Sequence, residues 1–221
     1  MHRKPSIPIS IYSDAARWRG RTVGLYGGSF NPVHKGHFHI AHQALKRLEL
    51  DAVWMMVSPG NPLKILDNMD MAPAQKRLSH TRETLRPTRR IQVTDIETRL
   101  GTHFTAETLR ALKHAMPHTR FVWIMGADNM ASFTRWKDWQ GILKTVPIAI
   151  FDRPGYTIRG LSSRLTQMTR YHRTVPCNLA RTTRRPAWSF LAIPRHKGSA
   201  TMIRNRLGQL WIADHHERRI S

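Results

Sequence analysis

The sequence has little cysteine and little negative charge. Its 221 residues include a single cysteine, Cys177, and 14 Asp and Glu against 36 Lys and Arg. One cysteine cannot form an intramolecular disulfide, which argues against a disulfide-stabilised secreted domain. No apolar run approaches the roughly 20 residues that cross a bilayer, and residues 1–21 lack the apolar core of a secretory signal. These absences predict a soluble, cytoplasmic protein without a membrane partner.

The shortage of acidic residues leaves a formal net charge of +22 with histidine neutral. Such a charge attracts polyanions, which could be nucleic acid, an anionic membrane or phosphorylated small molecules. The basic residues are scattered along the chain, and scattered Lys and Arg most often form a solvated surface. No signature of an RNA- or DNA-binding module is present, so the sequence argues against nucleic acid as the partner. Charge alone indicates an anionic ligand without selecting one.

Short apolar segments alternate with helical patterns along the chain, and 40% of the residues are hydrophobic, which is enough for a packed core. Candidate strands lie at 22–26, 52–57, 91–96, 121–125, 148–151 and 188–193, and candidate helices at 36–48, 72–85, 106–114 (capped by Thr105), 129–133, 136–143 and 201–207. This alternation predicts an α/β fold with an open, mostly parallel sheet flanked by helices. We expect one domain over 22–213, a loosely ordered basic arm at 1–21 and a polar tail at 214–221.

The loop after the first candidate strand carries the strongest chemical signal. Residues 27–37 read Gly-Gly-Ser-Phe-Asn-Pro-Val-His-Lys-Gly-His. The glycines permit a tight turn and close approach of the backbone to a ligand, and the next helix would direct its N-terminal N–H groups to the same place. Ligands of open parallel sheets bind beyond the carboxyl ends of the strands. The loop therefore predicts a binding site for a phosphate chain, with His34 and His37 beside it.

The same loop lacks the best-known phosphate and metal patterns. It contains neither a P-loop nor the dinucleotide fingerprint Gly-x-Gly-x-x-Gly. His34, His37, His39 and His42 lie within nine residues, but the cluster has no His-Glu-x-x-His motif and no Cys or Asp. On the predicted helix His39 and His42 point away from the other two. We expect no protein-held metal, and we expect His39 and His42 to be ordinary surface residues.

Two motifs give the chain a family resemblance. The loop at 27–37 resembles the His-x-Gly-His signature of the nucleotidylyltransferase superfamily, and residues 198–204, Gly-Ser-Ala-Thr-Met-Ile-Arg, resemble its Ser-[Ser/Ala]-Thr-x-Ile-Arg element. Each motif lies in the expected strand–loop–helix context. The resemblance implies the Rossmann-like fold of these enzymes.

Three further segments resemble the bacterial nicotinate-nucleotide adenylyltransferases. Residues 126–139 are similar to the family's Gly-x-Asp…Phe-x-x-Trp block, 101–109 to its Ser-Tyr-Thr-x-x-Thr-Leu block, and 59–64 to its Pro-x-x-x-Pro-x-Lys loop. The resemblance implies transfer of AMP from ATP to nicotinate mononucleotide, with release of pyrophosphate. The substrate's own phosphate would attack in line, without a covalent enzyme intermediate, and Mg²⁺ would be held mainly by the phosphates.

The resemblance also implies roles for single residues on the ATP side. His34, His37 and Arg204 would be catalytic. ATP and its phosphates would be bound by Gly27, Gly28, Ser29, Phe30, Lys64, Asp128, Ser199 and Thr201. Asp128 would accept hydrogen bonds from nucleotide hydroxyls, although a helix N-cap is its alternative role.

On the pyridine side, the resemblance implies that Trp136 stacks on the ring. The alternative for Trp136 is packing in the core, since it lies at helical spacing from Phe133. Thr105, with backbone amides near Trp136 and Lys137, would receive the pyridine carboxylate. Backbone donors suit a carboxylate better than a carboxamide, so the acid would be preferred over the amide.

The chain departs from the family pattern at several places, and two other functions stay open. Asn31 stands where Asp is common, His103-Phe104 replaces Ser-Tyr, and Lys137 stands where an aromatic residue is often found. One alternative is another adenylyl- or cytidylyltransferase, such as a pantetheine-phosphate or glycerol-phosphate enzyme, which lacks the Phe-x-x-Trp block. The other is a basic nucleic-acid-binding protein, which the charge alone would support.

Overall fold

The computed structural model describes residues 9–60, 71–85, 88–153 and 164–194. Its strands are β1 Thr22–Gly28, β2 Ala52–Val57, β3 Ile91–Thr94, β4 Arg120–Gly126, β5 Ile148–Phe151 and β6 Trp188–Leu191. Its helices are α1 Ile9–Trp18, α2 Lys35–Arg47, α3 Ala74–Leu85, α4 Ile96–Leu100, α5 Thr105–Ala115, α6 Met130–Phe133, α7 Trp139–Thr145, α8 Arg164–Met168 and α9 Pro176–Leu179, with 3₁₀ turns at Ala127–Asn129 and Arg170–His172. Among the described helices, none has the length and apolar composition of a membrane span.

The strands form one six-stranded sheet in the order β3-β2-β1-β4-β5-β6, and every neighbouring pair is parallel. The strand order reverses between β1 and β4, where Tyr26 lies opposite Ile124. In doubly wound sheets a ligand crevice opens at this point, outside the carboxyl ends of the two strands. The predicted α/β class with a parallel sheet is confirmed, and the loops after β1 and β4 are the first place to look for a site.

Both faces of the sheet are buried. On one face α1, α5 and α7 cover a core that includes Leu25, Trp54 and Trp123. On the other face α2, α3 and α9 cover a core that includes Val53 and Ile124. Burial on both sides explains why the strands read as short, continuous apolar runs rather than as alternating ones.

The segment before β1 differs from the prediction. Residues Ile9–Trp18 form a helix, and Ile11 and Trp18 are buried in the core. The prediction of a loosely ordered arm is therefore wrong for Ile9–Trp18. The signal for the helix is that Ile11, Ala15 and Trp18 recur at the four- and three-residue spacing of one helix face. The Trp18 ring meets the Trp54 ring edge-on, with the centroids 5.5 Å apart.

The end of α1 also binds the start of β4. Gly20 N donates to His118 O at 3.0 Å, and Thr119 Oγ1 donates to Trp18 O at 3.0 Å. Arg120 Nη2 donates to Gly20 O at 2.8 Å. These bonds join the chain that enters β1 to the chain that enters β4.

Several boundaries move relative to the sequence prediction. The third strand ends at Thr94, and α4 follows at once. Thr105 is the first residue of α5 rather than its cap; the N-cap is Phe104, which has no side-chain capping bond. Trp136 lies in a turn between α6 and α7, not in a helix. The helix predicted at 201–207 and the tail at 214–221 lie outside the described residues.

Candidate active site

Two histidines cap the helix that follows β1. His34 is the N-cap of α2, and its Nδ1 accepts a hydrogen bond from Gly36 N at 3.1 Å. His37 Nδ1 accepts from His34 N at 3.1 Å in return. This is a capping box in which imidazoles replace the usual hydroxyl and carboxylate. The two rings lie side by side, with centroids 3.8 Å apart and planes inclined by 35°.

The capping bonds determine which nitrogen of each neutral ring carries the proton. Because Nδ1 of His34 and Nδ1 of His37 both accept an N–H, the proton of each neutral ring lies on Nε2. In this form each imidazole offers an Nε2–H donor. Two such donors at the N-terminus of a 13-residue helix suit the oxygens of a phosphate chain.

The glycines after β1 make room for aromatic rings. A Cβ at Gly27 would overlap Cη2 of Trp123, and a Cβ at Gly28 would lie 3.1 Å from the Phe30 ring. Phe30 itself is buried and has a φ of 44°, in the left-handed region that bulky residues rarely adopt. The sequence prediction explained these glycines by close approach to a ligand. The structure adds a second reason, because the rings of Trp123 and Phe30 occupy the space that their side chains would need.

Trp136 lies after β4, across the point where the strand order reverses. Its half-buried ring is edge-on to Trp123, with centroids 6.3 Å apart, and its centroid is 5.2 Å from that of Phe133. The alternative of core packing therefore holds for one part of this ring. The part that stays exposed is available to a planar ligand.

Thr105 and Lys137 come from the two segments on either side of Trp136. Thr105 begins α5 and is half-buried. Lys137 Nζ lies 3.0 Å from Glu107 Oε1 and 4.1 Å from the centroid of the Phe104 ring. These contacts join the start of α5 to the turn that carries Trp136. They also engage the Lys137 ammonium, on a side chain that is 57% exposed.

Asp128 lies in the 3₁₀ turn that follows β4. Gly126 is the N-cap of this turn and makes no side-chain capping bond, so the alternative role of Asp128 as an N-cap is wrong. Asp128 Oδ2 accepts from Arg153 Nη1 at 2.7 Å, while Oδ1 is buried without a hydrogen-bond partner in the described part of the chain. Burial raises the pKa of the nearby Tyr26 hydroxyl, which keeps that group neutral.

A buried acid stands behind the start of α5. Glu97 is 7% exposed, and Thr108 Oγ1 lies 3.5 Å from its Oε1. Thr102 Oγ1 in turn lies 2.7 Å from Thr108 Oγ1, and Thr102 N donates to Glu97 O at 3.0 Å. Burial raises the pKa of the Glu97 carboxyl to about 7. This network supports the turn that leads to Thr105.

The chain has close relatives of known name. The cytidylyltransferase-like family model matches residues 25–206. A protein of Cereibacter sphaeroides named "Probable nicotinate-nucleotide adenylyltransferase" is 51% identical over 182 residues, which cover 82% of this chain and 96% of that protein. A protein of the same name from Rhizobium johnstonii is 47% identical over 190 residues, covering 85% of this chain and 94% of its own. This chain belongs to the nicotinate-nucleotide adenylyltransferase family.

A solved structure has the same fold as this chain. It is the Plasmodium falciparum nicotinic acid mononucleotide adenylyltransferase complexed with NaAD, with a TM-score of 0.64 and 15% identity. The match covers 85% of this chain and 84% of that one. At this identity the likeness concerns the fold, and it agrees with the nucleotidylyltransferase fold that the two motifs implied.

The site residues that the sequence predicts for this chain fall into three groups. The loop between β1 and α2 carries Gly27, Gly28, Ser29, Phe30, His34 and His37. The region after β4, with the start of α5, carries Thr105, Asp128, Trp136 and Lys137. The residues Lys64, Ser199, Thr201 and Arg204 lie outside the described ranges. The first two groups flank the reversal of strand order between β1 and β4.

The other two histidines of the cluster, His39 and His42, differ in exposure. His42 is exposed, as expected, whereas His39 is half-buried and is not an ordinary surface residue, since it lies on α2 one position from buried Ile40. Within the described ranges no group of three or more His, Cys, Asp or Glu side chains could hold a metal ion.

Sequence reasoning missed Arg153, Glu97 and Arg77. Arg153 follows the fifth strand at the carboxyl edge of the sheet, and that position was a usable signal. Glu97 and Arg77 gave no signal, because charged residues in a helical pattern are normally solvated. Arg77 is nevertheless 1% exposed.

Proposed function

We propose that this protein transfers the adenylyl group of ATP to nicotinate mononucleotide, giving nicotinate adenine dinucleotide and pyrophosphate for NAD biosynthesis. Relatives at 45 to 51% identity carry the name of this activity. The observation that carries the proposal is the placement of paired His34 and His37 on one side of the crevice and half-buried Trp136 on the other. A phosphate chain and a flat ring are the two parts that these groups would hold.

The chemistry requires positioning more than a protein nucleophile. A phosphate oxygen of nicotinate mononucleotide attacks the α-phosphorus of ATP, a P–O bond forms, and the P–O bond to the β-phosphate breaks with pyrophosphate taking the electron pair. The Nε2–H groups of His34 and His37 would donate to phosphate oxygens whose negative charge grows during the transfer. We place Lys64, Ser199, Thr201 and Arg204 beside them on the sequence motifs alone.

Recognition of the pyridine ring would use the other side of the crevice. The exposed part of the Trp136 ring offers a stacking surface, and the N-terminal end of α5 at Thr105 offers N–H groups to the carboxylate. A carboxamide would bring its own N–H donors against these donors. This mismatch supports nicotinate over nicotinamide as the substrate.

Asp128 would recognise the nucleotide sugar. Its Oδ1 is a buried acceptor without a partner among the residues described, and buried acceptors of this kind are normally satisfied by a donor. A ribose hydroxyl is such a donor. Arg153 would fix the carboxylate through Oδ2, 2.7 Å away, and so leave Oδ1 for the ligand.

We propose Mg²⁺ as the divalent ion that accompanies ATP. The donor set of the described residues at the crevice fits an ion carried by the nucleotide, because His34 and His37 present N–H donors and Asp128 shares its carboxylate with Arg153. When bound to the phosphates, Mg²⁺ supplies positive charge between them. We also propose a single nucleotidylyltransferase domain, which extends the expected 22–213 by the helix Ile9–Trp18, and a cytoplasmic location, where ATP is available.

A pyrophosphate-release assay tests the function. The full chain, Mg²⁺ and ATP would be combined with nicotinate mononucleotide, nicotinamide mononucleotide or phosphopantetheine, and CTP would replace ATP in a parallel series. We expect turnover with ATP and the nicotinate substrate, and a lower kcat/KM with the amide. Folded protein that turns over neither pyridine nucleotide would refute the proposal, and preference for phosphopantetheine or CTP would reassign it within the superfamily.

A further inference from the structure

Arg77 is a buried cation bound to four backbone carbonyls. It lies on α3 and is 1% exposed. Its Nε donates to Ala72 O at 2.8 Å, and its Nη2 donates to Pro59 O at 3.2 Å. Its Nη1 donates to Ser29 O at 2.7 Å and to Ser58 O at 2.8 Å. Within the described ranges, no carboxylate pairs with this guanidinium.

The four carbonyls belong to the two loops that leave neighbouring strands at the carboxyl edge. Ser29 follows β1 and begins the loop that leads to His34. Ser58 and Pro59 follow β2, and Ala72 lies two residues before the start of α3. Arg77 therefore joins the phosphate loop, residues 27–37, to both flanks of segment 61–70.

A second contact reinforces the same junction. Asn31 Oδ1 accepts from Ala72 N at 3.2 Å, so the peptide groups of Ala72 are held both by the phosphate loop and by Arg77. Ser58 N also donates to Gly28 O at 3.0 Å. The path of the chain from Gly28 to His34 is thus fixed from the side of α3 rather than by its own turn alone.

The chemistry of this junction requires arginine. A guanidinium presents five N–H groups in a rigid plane and can reach four acceptors at once, whereas a lysine ammonium has three donors at one point. Burial lowers the pKa of Arg77 to about 10, so it stays charged at neutral pH. Carbonyl dipoles solvate this charge without cancelling it, and its positive field remains beneath the phosphate loop.

We propose that Arg77 is a positioning residue for adenylyl transfer, which acts by holding the β1–α2 loop so that His34 and His37 meet the phosphates of ATP. The inference rests on the proposed function. Thr105 and Trp136 are held by α5 and by the turn after α6, so the pyridine site is independent of Arg77. Loss of Arg77 should therefore affect ATP and not nicotinate mononucleotide.

The test compares R77K and R77Q with the matched controls R82K and R82Q, since Arg82 lies on the same helix and is exposed. Steady-state kinetics would be measured well below the melting temperature, with circular dichroism to verify folding. For R77K we expect kcat to fall by about tenfold or more, because small misplacements of reacting groups cost that much. The KM for ATP should rise, the KM for nicotinate mononucleotide should stay within about twofold, and the Arg82 variants should match wild type.

Each outcome decides the matter. A folded R77K with a lower melting temperature but with kcat and the KM for ATP within about twofold of wild type would show a merely structural role and overturn the inference. Failure of both R77K and R77Q to fold would overturn it as well, since Arg77 would then serve the fold and not the loop. Absence of turnover by the wild type would refute the proposed function instead.

Discussion

The ring of Trp136 meets the ring of Trp123 edge-on, with the centroids 6.3 Å apart. Trp123 lies on β4, and its Cη2 occupies the place where a side chain at Gly27 would project. One indole therefore touches the phosphate loop on one side and the proposed pyridine site on the other. The two halves of the crevice are built around this ring.

Removal of the Trp136 ring should weaken binding of the pyridine nucleotide. Stacking of a base on an aromatic side chain contributes about 1 to 3 kcal/mol, so Trp136→Ala should raise the KM for nicotinate mononucleotide about 5- to 150-fold and leave the KM for ATP unchanged. Trp139→Phe is the control, because Trp139 packs on Phe133 next to the site. An unchanged KM for the pyridine nucleotide in Trp136→Ala would exclude the stacking role.

A side chain at Gly27 should destabilise the fold through Trp123. Gly27→Ala would overlap Cη2 of the ring, and overpacking of this kind costs about 1 to 3 kcal/mol. The urea midpoint of unfolding measures the loss. Trp123→Phe should shorten the ring and recover part of the stability in the double variant, so that the two effects are not additive. Additive losses would contradict a direct contact as the cause.

The capping role of His34 can be separated from its proposed donor role. Asn is a good N-cap residue, so His34→Asn should keep the acceptor for Gly36 N and remain folded. The variant lacks the distant Nε2–H, and kcat should fall by about 10² to 10³. His34→Ala should lose both the cap and the activity. Near-normal kcat in folded His34→Asn would disprove charge stabilisation by this imidazole.

The buried carboxyl of Glu97 should make stability depend on pH. Its folded pKa of about 7 is above the ordinary value of 4.5, so the folded state binds the proton more tightly than the unfolded state does. The contribution of Glu97 to the free energy of unfolding is therefore largest below pH 4.5, falls as the pH rises, and is lost above pH 7. The loss is of the order of 3 kcal/mol.

Glu97→Gln keeps an acceptor for Thr108 and removes the titrating proton. The urea midpoint of the wild type should drop between pH 5 and pH 8 by more than that of the variant, since other groups titrate equally in both. An equal drop in the two proteins would show that Glu97 does not titrate in this range.

The fold and part of the site could be predicted because their signals are local. Strands such as Ala52–Val57 are short apolar runs, and the motif around His34 lies in one contiguous loop. Trp136 and Thr105 were expected in the pyridine site from two further blocks, and the structure brings their segments together through Lys137 and Glu107.

What could not be predicted depends on contacts between distant segments. Arg77 looks like a solvated residue of an amphipathic helix, and its burial becomes possible only through carbonyls supplied by two other loops. Glu97 is buried for a similar reason, because Thr108 on the next helix covers it. Local sequence shows the helix in each case, but it does not show which face the neighbouring segments will cover.

The hydrogen bonds between the end of α1 and the start of β4 give the beginning of the chain a structural role. A chain shortened to start at Thr22 would keep every proposed site residue, yet it would lose the bonds from Gly20 and Trp18 to the start of β4. It would also uncover the face of Trp54 that Trp18 now shields. Newly exposed indole surface promotes self-association. A chain trimmed to the proposed site residues should therefore aggregate more readily, and an affinity tag belongs ahead of Ile9 rather than in its place.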